Sequence, residues 1–242
     1  MRPAPVLIVL AATFALSACQ SGPKRMPIAV IDRALEGAPG EAQPSRVVAT
    51  ELAFARAARE EGQWTAFSAY AGPGAMIHGR SGAIPAAPWL ARQTNPPQAV
   101  KWAPKEIWMS CDGVLAVSQG RFVDPEGMVG SYLTVWQREG RSDYRWVYDS
   151  AIPDDPQPVS EPGTQPGEDE IVVTALDAVK GNVADCDGTG PQPARPEATR
   201  TSPDGTLAYR WEHRGEGERR FTAWWLHEGE WQVALEEVWA AR

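Results

Sequence analysis

The stretch "SRVVATELAFARAAREEG", from Ser45 to Gly62, repeats its apolar residues at helical spacing: Val48, Leu52 and Ala55 form one stripe, and Val47, Phe54 and Ala58 lie beside it. Ser45 is placed to cap the start of this helix and Gly62 to follow its end. In "QWTAFSAYAG", Trp64, Phe67 and Tyr70 stand three apart, which predicts a second short helix stopped by Gly72 and Pro73. From Ala75 the apolar period moves toward two, with "AMIHG" as a first short strand and a brief helical piece over Ala87 to Arg92. Four longer runs follow, "AVKWAPKEIWMS", "VLAVSQGRFV", "MVGSYLTVWQ" and "DYRWVYDS". Turn signals at Asp112-Gly113, Asp124 to Gly127 and Glu139-Gly140 divide them, the pattern of an antiparallel meander. Apolar residues occupy both parities of the inner runs, as with Val114, Ala116 and Phe122 against Leu115, Val117 and Val123. A sheet with one wet face alternates more cleanly, so both faces of this one should be covered.

Pro153 to Glu170 holds five prolines, six acids and no base, the composition of an extended, solvated linker. "IVVTALDAV" fits a strand or a short helix, with strand the better fit, and "DCDGTGPQPARPEATRTSP" reads as a loop. Three runs then alternate. Leu207, Tyr209 and Trp211 share a face, as do Phe221, Ala223 and Trp225, and Trp231, Val233 and Leu235, while Trp224 and Leu226 interrupt the polar parity. A lone three-stranded meander is weakly stable, and the first sheet has a face to cover, so the two should pack together. The turn "SCDGVLAV" at Ser110 is echoed by "SPDGTLAY" at Ser202, an offset of 92 residues at Asp112 and Asp204. Duplication of the meander and two independent uses of one turn chemistry both account for the echo.

Ahead of these elements, Arg2, the apolar run Val6 to Ala15 and the small residues before Cys19 have the layout of a secretory signal. The apolar run is about half the roughly 20 residues a transmembrane helix needs. "LSAC" resembles the lipobox of bacterial lipoprotein precursors. That resemblance implies cleavage after residue 18, lipid on Cys19 and, with Gln20 next, an outer-membrane protein facing the periplasm. Residues 19–44, with four prolines, then form a tether carrying at most one short helix at Ile28 to Leu35. Without residues 1–18 the chain has 22 basic and 31 acidic side chains, a net charge of 22 − 31 = −9, which argues against nucleic acid as a partner. With Cys19 lipidated, Cys111 and Cys186 remain as a pair in an oxidising compartment. They either bridge, clipping the loop before the last meander onto the core, or stay as two small buried hydrophobes.

The run "VVATELAFARAAREEGQWTAFSAYAGPGAMIHG", a short helix, and strands with "WMSCDGVLAV", "TVWQREG" and "YRWVYD" resemble the SnoaL-like branch of the nuclear transport factor 2-like superfamily over about residues 45–150. The resemblance implies an α+β fold: a cone of helices on a curved antiparallel sheet around a pocket, to which the C-terminal three-stranded β-meander is added. The expected organisation is a signal peptide at 1–18, a tether at 19–44, the cone at 45–152, the linker at 153–170 and the extension at 171–242. Catalytic members of that superfamily place carboxylates, histidines or tyrosines in the pocket. Here His78 could act as a base or could sit at a strand edge in solvent. Asp149 could enter the cone as a base of raised pKa or could cap the strand end. Glu106, on the apparent parity of Trp102 and Trp108, is either a site carboxylate or an exposed edge charge. Tyr70, Tyr132 and Tyr148 are candidate oxyanion donors. Hairpin pairing would hold His213 and His227 roughly 26 Å apart, too far to share an ion, and no metal or cofactor site is expected. The first reading is a lipid-anchored, non-catalytic binding or interaction module for a small apolar ligand or an envelope protein. The alternative is an isomerase, dehydratase or cyclase acting through the pocket with His78 or Asp149.

Overall fold

The computed structural model describes residues 41–140, 143–158, 178–186, 196–198, 200–214 and 217–239. The signal peptide, Cys19, nearly all of the tether including the helix at 28–35, linker residues 159–170 and the run 171–177 lie outside the described residues. No helix among the described residues is long and apolar enough to cross a membrane.

Helix α1, Pro44–Glu60, starts one residue before the expected cap. Pro44 occupies the first turn, where its fixed φ fits and its missing N–H costs nothing, and Ser45 makes no capping bond. The helix buries Val47, Glu51, Phe54, Ala55 and Ala58, so the second of the two stripes faces inward. Leu52 is 52 % exposed, contrary to expectation, and a glutamate takes the interior position four residues after Val47. Gly62, at φ +109°, turns the chain into α2, Gln63–Tyr70. A Cβ at Gly62 would come within 2.2 Å of Asn95, whose Oδ1 accepts from the Trp64 and Thr65 amides at 2.8 and 3.2 Å and so caps α2 from a distant loop.

Strand β1, Ala71–Gly79, follows α2 directly, and its bulge between Ala71 and Met76 absorbs the Gly72-Pro73-Gly74 segment. Next come β2, Gly82–Pro85, and α3, Ala86–Leu90. The meander is β3, Lys101–Met109, β4, Leu115–Val123, β5, Val129–Glu139, and β6, Asp143–Pro153. A short β7, Lys180–Val183, completes a seven-stranded sheet of order β2-β1-β6-β5-β4-β3-β7. The sheet is mixed rather than purely antiparallel, because β1 runs parallel to β6 and β7 parallel to β3. Glu106 is therefore not an edge charge: β7 covers β3, and Lys180 Nζ and Asn182 Nδ2 each reach the Glu106 carboxylate at 2.8 Å. Glu106 does not share a face with both tryptophans either. A bulge between Pro104 and Glu106 leaves Trp102 with the helices and turns Trp108 to the opposite face.

The extension forms a second sheet of four strands, one more than expected: β8, Arg200–Thr201, β9, Leu207–Arg214, β10, Glu218–His227, and β11, Glu230–Trp239, in the order β11-β10-β9-β8. Leu207, Tyr209, Phe221, Ala223 and Leu235 pack on Leu115, Val117, Leu133, Val135 and Tyr148 of the first sheet. Helices α1 to α3 pack on the other face, against Ile107, Met109, Ala116, Trp136 and Trp146. The two-sided apolar pattern of β4 and β5 is thus met on both sides. The expected inward row Trp231, Val233, Leu235 is broken by a register shift between Ala223 and Trp224, which leaves Val233 56 % exposed.

The echoed turns face each other. Ser110 Oγ bonds Asp112 Oδ1 and Ser202 Oγ bonds Asp204 Oδ1, both at 2.6 Å, and Gly113 and Gly205 take φ +64° and +71°. The two loops exchange bonds reciprocally: the Asp112 amide donates to Asp204 Oδ2 at 2.7 Å and the Asp204 amide to Asp112 Oδ2 at 3.2 Å. Beside them Cys111 and Cys186 are disulfide-bonded with Cα atoms 5.2 Å apart. The bridge closes a separation of 75 residues, which contributes roughly 4 kcal/mol in the chain-entropy account.

Candidate functional site

Between the helices and the first sheet lies a cavity of about 250 Å³. Aromatic side chains make most of its wall: Phe54 from α1, Trp64 and Phe67 from α2, Trp89 from α3, Trp102 from β3 and Trp136 from β5. The helices supply aromatics at spacings that turn them all inward, as the three-residue interval Trp64 to Phe67 requires. Phe54 is held by Phe67 edge-on at 4.8 Å and by Tyr70 stacked at 5.0 Å, so Tyr70 braces the wall and is not among the residues that line the cavity.

One side of the cavity is polar. Asp149 lines it from β6, directly opposite Thr134 of β5, whose hydroxyl donates to Asp149 Oδ2 at 2.8 Å. Because β6 runs on to Pro153, Asp149 lies inside the strand and caps nothing. Burial is the main influence on its carboxyl and raises it from 3.8 to about 7; the Thr134 bond opposes this and the Glu51 charge adds to it. Asp149 is thus poised to give or take a proton near neutrality.

Behind the wall sits a second carboxyl. Glu51 accepts from Tyr132 Oη at 2.6 Å, from Trp136 Nε1 at 3.1 Å and from Ser118 Oγ. Burial raises its pKa and these three donors lower it, with burial prevailing. Gly120 makes the arrangement possible, since a Cβ there would come within 2.6 Å of the Tyr132 ring. Tyr132 lines the cavity with its ring, but its hydroxyl is committed to Glu51, which removes it from the oxyanion donors. Sequence reasoning missed Glu51, although its position between Val47 and Phe54 on an inward stripe was a signal. Thr134 left none, because its role depends on strand register.

His78 departs from both expectations. It borders the cavity but is buried at 1 % exposure, and its ring nitrogens engage the opposite face of the sheet. Nδ1 lies 2.7 Å from Tyr148 Oη and Nε2 lies 3.3 Å from His213 Nδ1. Burial first, then the charges of Arg219 and His213, push its pKa down to about 4. His78 and Tyr148 therefore belong to the contact between the sheets and do not meet Asp149 in the cavity. Among the described residues no group of three His, Cys, Asp or Glu side chains could hold a metal ion. No protein-family model and no curated protein matches this chain.

Proposed function

We propose that this chain is a lipid-anchored envelope protein of the nuclear transport factor 2-like, SnoaL-like type, and that its cavity binds a small, largely apolar ligand carrying one polar group. The observation that carries this reading is one carboxyl, Asp149, at the wall of a cavity lined mostly by aromatic rings. A cavity of roughly 150 Å³ accepts benzene, so about 250 Å³ suits one or two rings. The strand order and the helices on one face support the superfamily reading, and the lipobox at Cys19 supports the anchor and the outer-membrane, periplasm-facing location.

A second reading, an isomerase, dehydratase or cyclase, is favoured by the raised proton affinity of Asp149, which suits a general base at neutral pH. Titration with 2-naphthol, followed by tryptophan fluorescence, tests the first reading. Saturable binding that Ile77→Trp abolishes is the expected result, and a wild-type protein that does not bind ends it. Asp149→Asn separates the two readings: a binding module keeps most of its affinity for naphthalene, whereas an enzyme loses turnover. For the anchor, Cys19→Ser should move the protein from the membrane to the soluble fraction. Retention of the processed variant in the membrane would refute lipidation.

A further inference from the structure

We infer that the cleft between one end of the two sheets, separate from the aromatic cavity, binds an oxyanion, a carboxylate or phosphate carried on a partly apolar body. The cleft holds about 810 Å³ and is walled by the end of β5 and β6 on one side and by β10 and β11 on the other.

Arg219 on β10 lines it and is 2 % exposed. Its Nη1 donates to the His78 carbonyl at 2.6 Å and to Ser150 Oγ at 3.1 Å, and its guanidinium lies 5.1 Å over the Trp239 ring. Nε is buried with no partner. The Nε–Nη2 edge, the side of a guanidinium that grips a carboxylate or phosphate with two bonds, is therefore without an acceptor among the described residues. No carboxylate among those residues pairs with Arg219, and a buried charge with no counter-ion is costly. Arg80, exposed at the same cleft, is close enough for its positive charge to oppose that of Arg219 and makes no ion pair among the described residues.

The acids in the cleft do not neutralise this pair. Asp154 is held by Arg121, Glu237 accepts from Gln119, and Asp155 has a partner of its own. Burial raises the pKa of Glu237 and the Gln119 bond opposes this. The cleft thus presents two cations that none of its acids is seen to pair with among the described residues, beside the apolar surfaces of Ile152, Val238 and Trp239. An oxyanion completes the hydrogen bonding of Arg219, offsets the repulsion from Arg80 and leaves its apolar body on those surfaces. Because the walls come from both sheets, occupancy should also brace one against the other.

The test is isothermal titration of the purified Cys19→Ser chain, which carries no lipid of its own, disulfide intact, with octanoate, with inorganic phosphate and with phosphatidylglycerol vesicles. Octanoate should bind with a Kd of roughly 1 mM or tighter, and octanol should not compete. Phosphate alone should bind more weakly, by the lost apolar contact. Binding of the vesicles but not of octanoate would assign the oxyanion to a lipid headgroup, and the reverse to a free organic acid. Arg80→Gln, at an exposed position, should fold normally and weaken octanoate by about tenfold, the usual effect of losing a charge-assisted contact. Arg219→Lys, which keeps the charge but not the two-pronged edge, should weaken it further. Ile77→Trp, which fills the aromatic cavity, should leave it unchanged, so failure of the cavity reading and failure of this one are told apart. The inference is overturned if neither octanoate, phosphate nor vesicles give saturable binding, or if Arg80→Gln binds octanoate as the wild type does.

Discussion

The two faces of the seven-stranded sheet are closed in different ways. On one face a second sheet lies across β4, β5 and β6, and the inward side chains of both interdigitate until Leu133, Val135, Phe221 and Ala223 have no exposed area. On the other, three helices bring aromatic rings whose edges meet over the sheet and leave about 250 Å³ unfilled. Two sheets share one pleat spacing and can mesh continuously, whereas short helices joined at Gly62 touch a sheet along lines and bridge the space between. Polar groups follow the packing. His78 and Tyr148 on the meshed face are bonded to protein partners, while Asp149 on the hollow face keeps its carboxyl at a cavity wall.

Removing the second sheet should have the largest effect. A chain ended at Pro153 exposes the apolar face of β4 to β6, and loses β7 and the Cys111–Cys186 bridge with it. It should aggregate or fail to give a cooperative melt. A monomeric truncation with the full-length melting temperature would show that the meshed face is not a core at all.

Single substitutions sharpen the same contrast. Phe221→Ala on the meshed face creates a new hole under a side chain with no exposure, and should cost about 3–5 kcal/mol in denaturant unfolding. Ile77→Ala on the hollow face only enlarges a space that already exists, and should cost roughly 1 kcal/mol. Equal costs at the two positions would mean that the cavity collapses in solution.

Much of the meshed face was legible in the sequence, because alternation on both parities of "VLAVSQGRFV" requires cover on both sides and "LAYRWEH" with "RRFTAWW" supplies a greasy face of matching period. Its errors came from bulges: one residue of slip at Ala223/Trp224 turned Val233 outward, and one at Pro104/Glu106 separated Trp102 from Trp108. The hollow face was less legible. That Asp149 meets Thr134 depends on a cross-strand register that no local pattern encodes, and Glu51 lies within the otherwise apolar stripe Val47, Phe54 and Ala58 of α1.

The pH response of Asp149 is the next effect in size. A carboxyl whose folded-state pKa is raised favours the folded state when protonated, so its contribution is fully present below 3.8 and is lost as pH rises toward about 7. At about 1.36 kcal/mol per pH unit the gap corresponds to roughly 2–4 kcal/mol. Asp149→Asn, which still accepts from Thr134, should match the wild type near pH 4 and exceed it in stability near pH 8. A difference between the two proteins that does not change with pH would place the Asp149 carboxyl in bulk solvent.

The smallest effect expected is at the seam where the echoed turns meet. Asp112 and Asp204 each accept from the serine two residues before, holding their own turns, and each takes the other's amide, holding the turns together. Asp112→Ala or Asp204→Ala should cost about 1–2 kcal/mol, because half-buried amides lose an acceptor that water partly replaces. The informative quantity is the double variant. Loss of either side chain removes one of the two reciprocal bonds and loosens the seam that holds the other, so removing the second should cost less, and the double variant should be more stable than the sum of the single costs by about 0.5–1 kcal/mol. Additivity to within about 0.3 kcal/mol would mean that each turn is held only from within. The second sheet would then be fixed by its apolar face, the Cys111–Cys186 bridge and the polar contacts of Arg219, His213 and Glu237 with the first sheet.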